Sequence, residues 1–501
     1  MYVYAKLNDM LPYMVIPICH LTDNSFEKMR KSIVLLALAA AAATVDQCSA
    51  FGTPSAVNLM AGVRRATSVP RALNTRMVLI DPPKTTSVRN GRSGKRARTV
   101  LDKDTKMPDP IPVEGQKQAM KLMQSGRLYR YNVVSADESE VSICEKAVAD
   151  YTGHKYCVAL NSCGSALALM LKAAGCKPGD KVLSNAFTFG AVPSAIEHAG
   201  GIAVYVESND AYVMDVKDLE RKLKANPDCK YVLISHMRGK LADMDAVAAA
   251  CERFQATLLE DCAHSLGVYW QGKHSGHAGK AMAISSQSYK MLNSGEGGFF
   301  LTNDDYMAAA VATYAGAYEG LSVKHLTVPS LEAFKGLSNK LPNYSLRMSS
   351  LSAAVIRPQI DTIDQRVSIY NARYAKLTND LKSRLGGLIS IPDVTPGVTT
   401  PVHDSLQFNL AESMTDAQVD NFLAECARHG LPIELFGSKS NARNFVNWHF
   451  APAGEDPLPQ TARMLARACD VRLPLLWEDE DFETMADVLV ESLNAVLAEK
   501  A

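Results

Sequence analysis

The chain has 501 residues, 47% apolar and 21% charged, an ordinary globular composition with apolar surface for a large core and, from length, two to four domains. Net charge is zero but uneven: residues 1–100 hold fourteen Lys/Arg and five Asp/Glu, leaving 39 against 48, and a body at −9 argues against nucleic-acid binding. Eleven cysteines without CxxC pairs or metal-ligand spacing read as reduced, mostly buried thiols rather than a disulfide framework or a metal site.

The first hundred residues read as an address. Met29-Arg30-Lys31 precedes the apolar run Ser32–Val45 and the small residues Ser49-Ala50, the pattern of a secretory signal peptide. The run is shorter than the ~20 apolar residues of a membrane span. The Arg/Ser/Thr-rich stretch behind it, with Asp81 as its one acid, suits a transit peptide. Signal peptide, Ser49-Ala50-Phe51 and basic tail together resemble the two-part leader of plastid proteins in algae with secondary plastids. A disordered basic tail on a cytoplasmic protein is the alternative. Residues 1–104 are therefore expected to lie outside the fold, and no membrane segment is expected in the mature chain.

From about Pro108 the texture changes. "KYCVAL" reads as a strand and "SALALMLKAAG" as a helix ended by glycine. "DKVLS", "GIAVYVE", "KYVLIS" and "ATLLED" read as strands. "VPSAIEHAG", "VKDLERKLKA" and "MDAVAAACERF" read as the helices between them. This rhythm predicts βαβ units and a largely parallel sheet with helices on both faces. A long helix is predicted near Met348–Tyr370, with helices at Tyr370–Leu385 and Phe482–Leu497. The division is a large domain over 105–360 and a smaller α+β domain over 361–501.

Ligands of such sheets gather at the carboxyl ends of the strands, where four segments fall. "NSCGS" (Asn161–Ser165) offers small residues at a helix start, fit for an anion or an ordinary cap. In "NAFTFG", Phe189 stacks on a flat ring or packs in the core. Asp261 ends the apolar "LLED", where it holds a cationic nitrogen or serves as a cap or ion pair. Ser285 and Lys290 follow "AMAIS", and "GEGG" lets backbone pass close to a ligand. Lys290 is either a solvated charge or an amine able to form a Schiff base. Together the four supply an anion cup, a ring stack, a carboxylate for a pyridine nitrogen and an amine for an aldehyde, the needs of pyridoxal phosphate.

From "SGRLYRY" (beginning at Ser125) through "GHKYCVALNSCGSALAL", "SHMRGKLADMDAV", "LEDCAHSLG", "SYKMLNSGEGGFFLTND" and "NYSLRMSSLSAAV", the chain resembles the DegT/DnrJ/EryC1/StrS family of sugar and cyclitol aminotransferases. The resemblance implies the fold-type I pyridoxal-phosphate architecture: α/β, a mostly parallel seven-stranded sheet between helices, and a smaller C-terminal α+β domain. It implies Lys290 as Schiff-base lysine and proton shuttle, Asp261 on the pyridine nitrogen, His264 at the ring, Phe189 stacked on it, and Ser162, Cys163, Gly164, Ser165 and Ser285 around the phosphate. Ser345 would reach the partner's phosphate in a homodimer with shared sites. Arg238 and Tyr131 are expected to bind substrate. The reaction implied moves an amino group from glutamate or glutamine to a keto-sugar, nucleotide-linked, or a keto-cyclitol. A dehydratase, in which histidine replaces the lysine, and an idle sensor are the rivals. This chain departs from the family pattern at Cys163-Gly164 (usually Gly-Thr), Ser345 (often Asn), Met291 (usually Asn) and Arg238 (often Tyr).

Overall fold

The computed structural model describes residues 99–454 and 457–498, so the leader-like segment through residue 98 lies outside the described residues. The fold begins earlier than composition suggests. Leu101 is buried, and its N–H donates to the His429 carbonyl at 2.9 Å. An isolated leucine among charges has no periodic neighbours to reveal it.

Two helices lead in: α1 (Val113–Ser125), ended by Gly126 in the left-handed conformation, and α2 (Glu140–Thr152), capped by the Ser139 hydroxyl. The predicted alternation follows as β1 (Tyr156–Leu160), α3 (Cys163–Ala173), β2 (Lys181–Asn185), α4 (Ala191–Ala199), β3 (Ile202–Val206), α5 (Val216–Ala225), β4 (Tyr231–Ser235), α6 (Met244–Arg253) and β5 (Thr257–Asp261). A short hairpin, β6 (Tyr269–Trp270) and β7 (Lys273–His274), precedes β8 (Ala281–Ser285), β9 (Gly298–Thr302) and α7 (Asp305–Ala315).

The main sheet has seven strands in the order β1-β9-β8-β5-β4-β2-β3. β2, β3, β4, β5 and β8 pair in parallel, and β9 runs antiparallel between β1 and β8. Both faces are covered, which is why strands such as "YVLIS" and "GFFLT" are mostly apolar and fully buried. One core packs Val206, Val232, Ile234 and Phe299 with residues of α2, α5 and α6. The other packs Leu160, Leu233 and Phe300 with residues of α3, α4 and α7.

The predicted long helix is two helices, α8 (Ser350–Ile360) and α9 (Ile363–Leu385). Between them Thr362 Oγ1 donates to the Gln359 carbonyl at 2.8 Å, a local bond that competes with helix continuation. Gln359 instead clamps Asn293, accepting from its N–H and donating to its carbonyl, and so ties α8 to the loop that carries Lys290.

Beyond α9 come β10 (Ile389–Ser390), β11 (Val398–Thr400), β12 (Ser405–Leu410), α10 (Asp416–Arg428), β13 (Glu434–Leu435), α11 (Pro459–Leu465), β14 (Ala468–Arg472) and α12 (Asp479–Ala498). β10, β12, β14 and β13 make an antiparallel sheet, in that order, with its own core of Phe408, Phe422, Leu473 and Phe482. β11 joins β6 and β7 in a three-stranded sheet.

Candidate active site

A cavity of about 510 Å³ opens at the carboxyl edge of the main sheet, within the ~300–1,000 Å³ usual for small-molecule sites. Ser162, Cys163, Gly164, Phe189, Asp261, His264, Ser285 and Lys290 all line it, brought there from four separate strand ends.

The anion end is the start of α3. Ser162 caps the helix by accepting from the Ser165 N–H, while the first-turn N–H groups of Cys163 and Gly164 have no intrahelical partner. A Cβ on Gly164 would meet nothing closer than 3.9 Å, so the approach to those N–H groups is open. Burial pushes the Cys163 thiol well above its usual range, keeping it uncharged beside an anion. Ser165 is not among the lining residues: its hydroxyl is tied to Asn161 Oδ1 at 2.8 Å and to Ser162 Oγ at 2.9 Å.

Asp261 closes β5 directly opposite Ser235 on β4, and the two join through their side chains, Ser235 Oγ donating to Asp261 Oδ2 at 2.7 Å. The Ala263 N–H donates to Oδ1. Two bonds hold a buried carboxylate in fixed orientation at the cavity wall. His264 follows on the same turn, its Nε2 2.6 Å from Lys290 Nζ. Burial, then the cations Lys290, Arg238, Arg472 and Arg443, hold His264 well below its ordinary range, so the imidazole is neutral.

Lys290 sits on the β8–β9 loop, held by the Gln359 clamp and by Arg366, which donates to the Met291 carbonyl. Burial, Arg472 and Arg238 bring its pKa down to about 7. Ser285 closes β8 at the cavity. Phe189 presents a half-exposed ring, with the Arg443 guanidinium 5.5 Å from its centre.

Two expected substrate residues are not in the cavity. Tyr131 is buried in the core beside α3, and its hydroxyl bonds His325 Nε2 at 2.7 Å, leaving nothing for a substrate. Arg238 lies behind Met237, which does line the cavity; it is 3% exposed and ion-paired to Asp470. Ser345 is exposed, with φ of 56°, and bonds Asn343 rather than any group of its own chain's cavity. Arg443 and Arg472 do line the cavity. The sequence reading missed both because they sit in "NARNF" and "DVRLPLL", far from the strand-end motifs.

An anion cup, a free aromatic face, a fixed carboxylate and a half-buried amine in one cavity fit pyridoxal phosphate by the chemistry of their donors.

Comparison with known proteins agrees. A GDP-perosamine synthase of Caulobacter vibrioides is 28% identical over 250 residues, 50% of this chain and 64% of that protein. The chain thus spans less than two thirds of that relative's length. An L-glutamine:scyllo-inosose aminotransferase of Streptomyces griseus is 28% identical over 329 residues, 65% of this chain and 73% of that one. The crystal structure of a 3-amino-5-hydroxybenzoic acid synthase superposes with a TM-score of 0.65 at 20% identity, over 78% of this chain and 98% of that one, which speaks to the fold. The family model for DegT/DnrJ/EryC1/StrS aminotransferases matches residues 115–489, and the chain belongs to that family.

Proposed function

We propose that the protein transfers an amino group from an amino acid to a keto-sugar or keto-cyclitol, with pyridoxal phosphate held in the cavity. The observation that carries this reading is that Lys290 and Asp261 meet in the cavity that also receives the start of α3. Enzymes of this family depend on pyridoxal phosphate. When bound, that group supplies an aldehyde for covalent capture and a ring that accepts electrons.

The chain's residues do the rest. The N–H groups of Cys163 and Gly164 and the Ser285 hydroxyl would hold the phosphate, and Phe189 would face the ring. Asp261, fixed by Ser235 and Ala263, would support a protonated ring nitrogen. Lys290 would be the point of covalent attachment, and its pKa of about 7 suits it to carry the proton at the donor's α-carbon. His264 stays neutral and orients the amine. Ser345, exposed on its own chain, serves the site of a second subunit in a homodimer. The leader-like residues before the fold direct the chain to a plastid, which a fluorescent fusion of residues 29–105 tests.

Borohydride reduction followed by peptide mass spectrometry tests the assignment. The expected adduct is on Lys290, and an adduct on another lysine, or none, refutes it.

A further inference from the structure

Two arginines line the cavity beside the lysine, and among the described residues neither has all five donors filled. Arg472 comes from the end of β14. It donates from Nη1 both to the carbonyl of Tyr289, the residue before Lys290, at 3.1 Å and to Asp404 at 3.0 Å. Arg443 stands over the Phe189 ring and donates from Nη1 to Glu434 at 3.2 Å and to Asn441. Its Nε is buried with no hydrogen-bond partner among the described residues. Behind them Arg238 donates one nitrogen to Asp470 and leaves Nε and Nη1 buried without a partner among the described residues. A guanidinium has five N–H donors, and each acid here engages one nitrogen. Buried N–H groups left over are costly.

The acids do not close the gap. Glu434 also takes Lys106, and Asp470 also takes Gln407. Arg443 is pushed down to about 10, through burial and then through Arg238, with Arg472 adding to it. The cluster is under mutual repulsion that an incoming anion relieves.

We propose that Arg472 and Arg443 bind the two carboxylates of an α-amino dicarboxylate, so that glutamate rather than glutamine is the amino donor. This rests on the transamination reading and assigns the donor within it. The α-carboxylate lies next to the amine being transferred, so it belongs with Arg472, the arginine that touches the chain beside Lys290. The distal carboxylate belongs with Arg443. A carboxylate accepts at both oxygens and matches the guanidinium fork. The amide of glutamine would turn an NH₂ toward N–H donors. Arg238 does not touch the ligand; it is a positioning residue that holds Asp470 and adds positive potential behind the pair.

Glutarate and its monoamide, glutaramate, test this by binding to the holoenzyme, since neither has an amine to transfer. Calorimetry should show glutarate binding about 10–100-fold tighter than glutaramate, the range of one charge-assisted hydrogen-bonded pair. Arg443→Gln should remove that preference and Arg443→Lys should restore part of it. Arg472→Gln should weaken both ligands alike. Circular dichroism establishes that each variant is folded. Equal binding of the two ligands, or a preference that survives Arg443→Gln, overturns the proposal. So does an Arg443→Gln enzyme that sheds its cofactor with glutarate selectivity intact, which would give Arg443 to the phosphate. Cofactor colour bleached as readily by glutamine as by glutamate sinks the donor assignment alone. Colour that no amino acid bleaches sinks the transamination reading itself.

Discussion

The amine of Lys290 and the Nε2 of His264 lie 2.6 Å apart. This is a contact between two depressed bases rather than an ion pair. His264 is neutral, and Lys290 is half unprotonated near neutral pH. Neighbouring cations of the same cluster, Arg238 and Arg472, lower both. The site thereby makes a nucleophile from a residue type that is ordinarily inert at pH 7.

The pH dependence of cofactor capture follows. Only the free amine attacks an aldehyde, so below about 7 Lys290 is protonated and slow. The rate at which apoprotein acquires cofactor colour should rise through about pH 7 and level off by about pH 8, whereas an ordinary lysine near 10.4 would still be gaining. Stopped-flow absorbance measures it, with Lys290→Ala as the blank. A rate that keeps climbing from about pH 8 to 10 would contradict a lowered pKa. The same shift acts on stability. Between the folded value of about 7 and the unfolded one, the unfolded lysine holds a proton that the folded one has lost, so this group makes the apoprotein more stable as pH rises across that window.

Asp261 and Ser235 separate ring support from orientation. Asp261→Asn keeps the shape and removes the charge; its amide oxygen can still accept from the Ala263 N–H, while its NH₂ must donate to the Ser235 hydroxyl, reversing that bond. It should slow bleaching by amino donor about 10²–10³-fold, the scale of losing one electrostatic partner of a developing charge. Ser235→Ala removes one bond to the carboxylate and should cost only a few-fold, in line with ~1 kcal/mol for a hydrogen bond. Single-turnover absorbance gives both numbers. Equal effects from the two substitutions would mean that Asp261 acts only as a structural acceptor.

Tyr131 belongs to the core, and Tyr131→Phe should show it. The substitution leaves His325 Nε2 without its partner in a buried network with Arg130 and Glu145, a loss of about 1–3 kcal/mol. A lower Tm with an unchanged KM for donor and acceptor is expected. A raised KM at wild-type Tm would return Tyr131 to the substrate site.

The alternation of strands and helices was legible because each parallel strand carries a run of apolar residues and each helix between them carries its own cap or glycine stop. The cup, Asp261 and Lys290 were legible because they lie at the carboxyl ends of those strands, where the topology sends them. What was hidden depends on distant partners. "SGRLYRY" gives no sign that Tyr131 points at His325, 194 positions later in the chain. Arg238 looked like a substrate ligand because its pairing with Asp470 crosses between the two sheets. Arg443 and Arg472 reach the cavity from the small domain, whose strands of two to six residues leave little pattern to read. The break between α8 and α9 falls just past Pro358, where the Thr362 hydroxyl bonds the Gln359 carbonyl, local features that periodicity does not sense.

Gly298 tests the anion cup by backbone displacement alone, without removing any group proposed to bond the phosphate. It opens β9, where the strand presses on the start of α3, and a Cβ there would lie 2.4 Å from Cys163 N and 2.5 Å from the Ser162 carbonyl carbon. Those are backbone atoms with no rotamer to yield, so α3 must move. Gly298→Ala should lose about 1–3 kcal/mol of stability, as overpacking does, and should hold pyridoxal phosphate at least tenfold more weakly. Gly387→Ala is the control, since a Cβ there meets nothing within 4 Å. Cofactor titration against thermal unfolding separates the two effects. A Gly298→Ala protein that is less stable yet binds cofactor with wild-type affinity would show that the start of α3 does not hold the phosphate. The anion end of the cavity would then have to be sought at Arg443 and Arg472, which line the same cavity.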